Sequence, residues 1–454
     1  MSNYIATERK STLALKTELT ALTGTVASSG TALTGTGTAF DTELSAGDVI
    51  GNATNGYRTV VSVTDATHCA VDSAFTANLS GATLKKQSFG VDPTVAAADV
   101  IEFVDFTLEA DRAEIQRNAV NRSFDELVPV MGAQTVGGNI QIELHGSGTA
   151  GVAPESDPMW EAAIGEKSSS TAGTTTAGST TTNIKLATGN GANFKVGQHI
   201  ILDPTVAGSG AYEVSRITAI TTDDLTVSPA FSLAPPTGRA VGAGVHYKPT
   251  VTELHSLWVQ FWRGDITLET FKGCKVATLA LDFQSSQTIN PTFTLDGKEM
   301  PSPTSAAYGL GATTEDAGEV HVARWMVVKM GGTLYPVSKV SISVANELYK
   351  RQDVSTSGIK SIIRTKRTVS GSFDMLYENK DVEAAFNAGT TAELMVVSSE
   401  GSEALTLGNT FVLSCPKIKY TKAGKGKDSG LYSYNITFKA ARTSGEDSIF
   451  VSFL

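Results

Sequence analysis

The chain is short of cysteine and of charge, and it has no long apolar run. Its three cysteines, Cys69, Cys274 and Cys415, are far apart among 454 residues and form no CxxC pair. An odd, scattered set supports neither a disulfide framework nor a zinc ribbon, and it suits synthesis in a reducing compartment. Charged residues make up only 18% of the chain and the net charge is −10, so a surface that grips nucleic-acid phosphates is not expected. No apolar stretch approaches the roughly 20 residues of a membrane helix. The opening text MSNYIATERKSTLALKTEL lacks a continuous apolar core, so no signal peptide is expected.

Signatures of chemistry are missing as well. His68, His145, His199, His246, His255 and His321 fall in no HExxH, HxH or HxE pattern, and each is expected as an isolated surface or turn residue. No GxSxG elbow occurs, and GTGTAF and GNGAN lack the lysine of a phosphate-binding loop. The pair Asp223–Asp224 sits between Val/Ile/Thr-rich runs, where a β-turn belongs. No carboxylate pair or nucleophile dyad can be placed, so no enzyme, metal or cofactor is expected.

What remains is rich in Gly, Thr, Ser and Ala, a mixture suited to sheets joined by tight turns. Residues 339–377 show this most clearly. Val340, Ile342 and Val344 alternate with serines, and Val369, Gly371, Phe373, Met375 and Tyr377 alternate with polar residues. Period-2 alternation predicts two strands, each with one buried face. The text between them is too long for a hairpin turn and predicts an excursion away from the sheet. It carries a basic cluster, Lys360, Arg364, Lys366 and Arg367, with two readings: a docking loop for an acidic neighbour, or a solvated loop. KAGKGKDSG (422–430) reads as a flexible turn, and Trp258, Phe261 and Trp262 as core or interface aromatics.

The strand pair has a counterpart in the first half. VGGNIQIEL (136–144) stands where VSGSF stands in the second half, and RAEIQRNAVNRSFDELVPVMGAQ precedes it. DPMWEAAIG (157–165) and DVEAAFNAG (381–389) each predict a short helix, begun by Asp157 or Asp381 as cap and stopped by glycine. FKGCKVATLALDF and VLSCPKIKYTKAG, each with a cysteine and a closing strand after it, end the two halves. A separate repeat is inserted in the first half. GTAFDTELSAGDVIG and YRTVVSVTDATHCAV are echoed by GANFKVGQHIIL and YEVSRITAITTDDLTV. The predicted division is a discontinuous first domain (1–19, 87–166 and 249–300), a first inserted β-module (20–86), and a linker with a second module (167–248). A linker (301–319) and a second domain (320–454) complete it. Lys167–Thr182 is expected to be a flexible link.

In KTE…SFGVDPTVAAADVI, VGGNIQIEL, FKGCKVATLALDF, KVSISVANEL, RTVSGSFDMLY and FVLSCPKIKY the sequence resembles the tail tube (major tail) proteins of long-tailed bacteriophages. The resemblance implies duplicated β-sandwich or barrel domains with short flanking helices that join side by side around a channel. Rings would stack into a tube through which genomic DNA passes without specific binding. Three two-domain chains would make a pseudo-sixfold ring, or six chains if the duplication is false. The resemblance also implies tape-measure, tail terminator and tail-tip proteins as partners, no cofactor, and a place in the virion after synthesis in the host cytoplasm. It makes the basic cluster a candidate inter-ring contact. The alternative is a surface carbohydrate-binding or adhesin-like β-protein, which predicts exposed aromatics on the inserted modules.

Overall fold

The structure, a computed structural model, describes residues 10–117, 125–205, 210–313, 316–324, 326–354, 358–377, 381–399, 404–428 and 430–454. Strand accounts for 52% of the chain and helix for 7%, so the fold is mainly β, of the sandwich and barrel kind. Its main elements are β1 (Thr12–Thr17), β2 (Glu109–Ile115), β3 (Val130–Gln141), α1 (Asp157–Ile164), β4 (Gly244–Pro249), β5 (Leu257–Arg263), β6 (Thr267–Gln284) and β7 (Thr292–Gly297). The second half adds β8 (Val337–Gln352), β9 (Ile359–Leu376), α2 (Asp381–Ala388), β10 (Thr391–Ser399), β11 (Thr410–Asp428), β12 (Leu431–Ala440) and β13 (Phe450–Phe453).

Eight of these strands lie side by side, each antiparallel to the next, in the order β2-β3-β7-β6-β8-β9-β12-β11. Alternation dictates the two faces of this sheet. Val340, Ile342 and Val344 on β8, Val369 and Phe373 on β9, and Ile436 and Phe438 on β12 are all buried. Ser341, Ser343, Ser370, Ser372 and Thr437 point the other way. Both β6 and β11 are long enough to serve two sheets. The first part of β6 pairs with β5 and its last part with β8, while the first part of β11 pairs with β10 and β13.

Helix α1 fills the space behind the sheet, and its side chains from Met159 to Ile164 are all buried. Trp160 is fully buried and touches the rings of Phe293, Phe411 and Phe453 at centroid distances of 5.4–5.8 Å. The helix is thus a core plug and not a flanking element. Its N-cap is Ser156, not Asp157, and the Asp157 carboxylate accepts from Tyr247 Oη and from Lys167 Nζ, both at 2.6 Å. Gly165 follows the helix at φ 138°, and Gly389 follows α2 at φ 64°, both in the left-handed region that favours glycine.

The two inserts have cores of their own. Strands between Leu19 and Gln87 form a seven-stranded sheet around Val26, Leu33, Phe40, Ile50 and Val60, and its entry and exit strands, Leu19–Ala21 and Lys85–Gln87, pair with each other. Strands between Asn183 and Ser228 form a four-stranded sheet around Ile184, Phe194, Ile200, Ile217 and Leu225. This second insert is docked on the second half: Ile201 and Val214 pack with Met395, Val397, Val412 and Leu454. Arg216 and Ser228 both bind the carboxylate of Glu393 on β10, at 2.8 and 2.7 Å.

The stretch 167–182 is not a flexible link. Gly165–Ser170 pairs with β4 and Gly173–Thr174 with Ala240–Val241, because the hydroxyls that made the text look loose are bonded inside. Thr175 Oγ1, for example, donates to the Pro236 carbonyl at 2.6 Å. The excursion expected between the strands of 339–377 is largely strand as well. The β8–β9 ladder continues from Val337↔Met375 out to Gln352↔Ile359, so the connection is a long hairpin arm; residues 355–357 lie outside the described residues. KAGKGKD, expected as a turn, is the second half of β11.

Candidate assembly surface

The sheet's strand order places two free edges at its ends. Among the described residues, no strand pairs with the side of β2 away from β3, or, beyond Lys419, with the side of β11 away from β12. Unpaired edges of this length invite addition of another strand. The edges differ in charge: β2 carries Glu109, Asp111 and Glu114 against one Arg112, whereas β11 carries Lys419, Lys422, Lys425 and Lys427.

Within the chain, an edge pairing of the same type already exists. Residues Thr278–Gln284 of β6 pair with Ala345–Lys339 of β8, joining the first four strands of the sheet to the last four. A buried amide fastens this seam: Asn346 Nδ2 donates to Val276 O on β6 and to Ala163 O in α1, at 3.2 and 2.9 Å. The runs β2-β3-β7-β6 and β8-β9-β12-β11 have the same order and directions. Their registers agree as well, since Gly138 faces Leu295 as Gly371 faces Phe438, and Val276 faces Leu295 as Tyr420 faces Phe438. Each run has a bulge one residue later, at Ala277 and at Thr421. In this register Cys274 corresponds to Ile418, so Cys415, by which the two ends were matched in sequence, lies three residues off.

The four basic residues on β9 do not act together. Arg367 is buried, and Nη2 donates to Ile164 O at 3.0 Å, closing the C-terminus of α1, while Nη1 is 3.2 Å from Glu446. Burial lowers its guanidinium to about 10. Arg364 donates to Thr250 O and Thr252 O at 2.7 and 3.1 Å, and burial lowers it too. Lys360 and Lys366 are exposed on the arm, beside Asp353 and Glu347 at 2.9 and 3.3 Å. Near the arm's end Tyr349, Val354 and Ile363 are exposed, and so are Ile115 at the end of β2 and Val128, Val130 and Met131 around the start of β3.

Five of the six histidines are buried, which corrects their expected surface placement; only His68 is exposed. Two of them form a chain across the fold. His199 Nδ1 and His246 Nδ1 approach the same Ser452 Oγ at 2.7 and 2.8 Å, while His199 Nε2 reaches Ser414 Oγ and His246 Nε2 reaches Ser170 Oγ. The chain ties the second insert to β4, β11 and β13. Its sequence signal is position: His199 opens HIIL, buried at every residue, and His246 lies in the buried run of β4.

Among the described residues one set of ligand-type atoms is close enough to hold a cation, that of Glu102, His145 and Glu155. Asp223 lies at a turn and accepts from Gly191 N at 2.8 Å, and Trp258, Phe261 and Trp262 are buried. The modules offer no aromatic platform among the described residues: Phe40, Tyr57, Phe75, Phe194 and Phe231 are buried, and Tyr212 packs beside Val214. This removes what the carbohydrate-binding alternative predicted. Among the described residues, no helix is long and apolar enough to cross a membrane. A family model described as phage tail tube protein matches residues 8–440. No curated protein matches the chain.

Proposed function

The chain belongs to the phage tail tube protein family and is a structural tail protein, and from that premise we propose that three copies close head to tail into a ring. Rings of this kind stack into the tail tube, and the genome passes through it. Each chain supplies two tube domains, residues 10–19, 87–166 and 249–300, and residues 320–454, joined by 301–319. The observation that carries this reading is the β6–β8 seam. It is one junction of a repeating sheet, and the free second half of β11 is equivalent to the part of β6 that makes it.

Carrying the seam's register over to the free edges pairs Lys422–Asp428 of one copy with Asp111–Asp105 of the next. Lys422 then stands opposite Asp111, as Thr278 stands opposite Ala345. The opposite charges of Lys422 and Asp111 favour the pairing at that end of the ladder. A head-to-tail contact between two different edges generates a closed ring or an open helix. The seam built into the chain sets the rotation, and closure after three chains leaves no sheet edge exposed.

The solvent face of the eight-stranded sheet suits a channel wall. Its Ser341, Ser343, Ser370, Ser372, Thr292 and Thr294 are short and uncharged. Lys339, Lys419, Lys422 and Lys439 share that face with Asp282 and Asp374, so a polyanion meets mixed charge around an uncharged centre. The hairpin arm bearing Lys360 and Lys366 reaches the next ring, rooted by Arg364 and Arg367. The inserts project outward, and tape-measure, terminator and tip proteins meet the rings at the tube's core and ends.

Negative-stain microscopy of the purified protein with mass determination of the rings tests this reading. Rings of three chain masses are expected. Six chain masses would remove the duplication and keep the tube, and a protein monomeric at every salt and concentration would remove both.

A further inference from the structure

Glu102, His145 and Glu155 come from three separate places. Glu102 lies between the short strands Val100–Ile101 and Asp105–Phe106, His145 lies just beyond β3, and Glu155 is in the turn before α1. One ligand atom from each lies within 4.8 Å of the others. His145 Nε2 is 3.7 Å from Glu155 Oε1, and both side chains are more than nine-tenths buried, at 8% and 9% exposure. The carboxylate is fixed in place, because Oε1 accepts from Glu102 N–H at 2.7 Å.

Acceptors flank the far side of the imidazole as well. Nδ1 faces the Gly146 carbonyl at 3.4 Å and Asp316 Oδ2 at 3.7 Å, both of them acceptors. Asp316 is held in turn by Glu155 N–H at 2.6 Å. With one ring proton on Nδ1, Nε2 is turned to the Glu155 oxygen, and either a second proton or a metal ion satisfies both. Two acceptors that face each other in a buried site repel unless something positive stands between them.

We propose that Glu102, His145 and Glu155 form a binding site for a first-row divalent cation, zinc by preference, with Asp316 as the positioning residue behind the histidine. One imidazole and two carboxylates form a donor set suited to zinc, and tetrahedral ligands at about 2.0–2.1 Å stand roughly 3.3 Å apart. The His145–Glu155 separation of 3.7 Å needs only a few tenths of an ångström of closing, and a carboxylate oxygen of Glu102 lies within 4.8 Å of both ligand atoms. A carboxylate behind a metal-ligating histidine orients the ring and raises its basicity. A water fills the fourth position on the exposed side. Asp316 belongs to the segment that joins the two halves, so the ion staples that connection to the first half beside α1.

The test is zinc binding by the full chain at pH 7.5, after EDTA treatment and dialysis, with metal content, calorimetry and melting temperature as readouts. The wild type is expected to take up one zinc per chain and to melt higher with zinc, reversibly with EDTA. Glu102→Gln is expected to weaken binding about tenfold or more, with its melting temperature in EDTA reporting any cost to the fold itself, and Asp316→Asn by about 10–100-fold. His145→Gln is expected to abolish it. No uptake at tens of micromolar zinc would overturn the site, and a proton on Nε2 would then bridge His145 and Glu155 as an ion pair. Equal uptake by the wild type and Glu102→Gln would also overturn it, placing the zinc at surface groups such as His68.

Discussion

Gly138 and Gly371 stand in the same relation to the strand before them. A β-carbon on Gly138 would overlap the carbonyl oxygen of Thr107, and one on Gly371 would overlap that of Ser341. Buried valines precede each glycine by two residues, Val136 and Val369, and buried Ile140 and Phe373 follow by two. The two glycines let neighbouring strands approach closely at equivalent points of the two four-stranded runs.

Gly138→Ala and Gly371→Ala are each expected to destabilise the fold by about 1–3 kcal/mol, the cost of forcing an added carbon into a packed site. Gly138→Ala should be the worse, because its φ of 153° adds backbone strain. Urea unfolding of the unassembled protein measures both. Stability unchanged in either variant would show that the close approach is not obligatory.

Charge reversal probes the proposed junction between chains. Lys422→Glu should raise the concentration needed for ring formation, and adding Asp111→Lys should recover much of the loss. Both residues lie on free edges, so the monomer's melting temperature should stay the same. Sedimentation at low and moderate salt reads the assembly, and the rescue should be weaker at high salt. Failure of the second change to restore rings that the first has lost would rule out the register Lys422↔Asp111.

The strands were legible because alternation is a local property of the text. Val340, Ile342 and Val344 announced a buried face without any knowledge of what covers it. The partners of polar residues were not legible. Arg367 and Lys366 are neighbours in a basic cluster, yet one caps a buried helix and the other lies on the surface, because adjacent strand residues point to opposite faces. Ser156, not Asp157, occupies the N-cap position, and the Asp157 carboxylate is bound by Tyr247 and Lys167, distant in sequence or around a turn. The histidines failed for the same reason. Nothing near His199 in sequence reveals Ser414 or Ser452, which arrive from the other end of the chain.

The two kinds of residue in the basic cluster should separate by experiment. Arg367→Ala leaves the C-terminus of α1 without its donor and Glu446 without its partner, and should cost about 1–3 kcal/mol of stability. Lys360→Glu with Lys366→Glu should leave stability within about 0.5 kcal/mol, as surface substitutions do. It should allow single rings but hinder their stacking, read as shorter tubes by microscopy. Tubes of normal length from that double variant would detach the arm's charges from ring stacking.

Acid should loosen the attachment of the second insert before it unfolds the rest. Burial holds His246 down to about 3, with Lys195 adding to the effect, and burial also holds His199 well below its usual range, with His246 and Arg216 nearby. Both are therefore neutral in the folded chain. In the unfolded chain they take up protons near pH 6.5. Stability is full above that pH and falls as pH drops from about 6.5 towards 3, where the folded His246 itself begins to charge. Each histidine contributes a slope of about 1.4 kcal/mol per pH unit in that window. Protonated, both rings present donors to Ser452 Oγ, whose own proton then has no histidine acceptor, and two positive rings facing one oxygen weaken the link through β13. Hydrogen exchange from pH 7 to 4 should show protection lost first in His199–Leu202 and Phe450–Phe453. His246→Gln, which cannot charge, should flatten the pH dependence by about one proton's slope. A slope unchanged in that variant would assign the acid sensitivity to other groups, with His255 and His321, both also depressed to about 3 by burial, the next to replace.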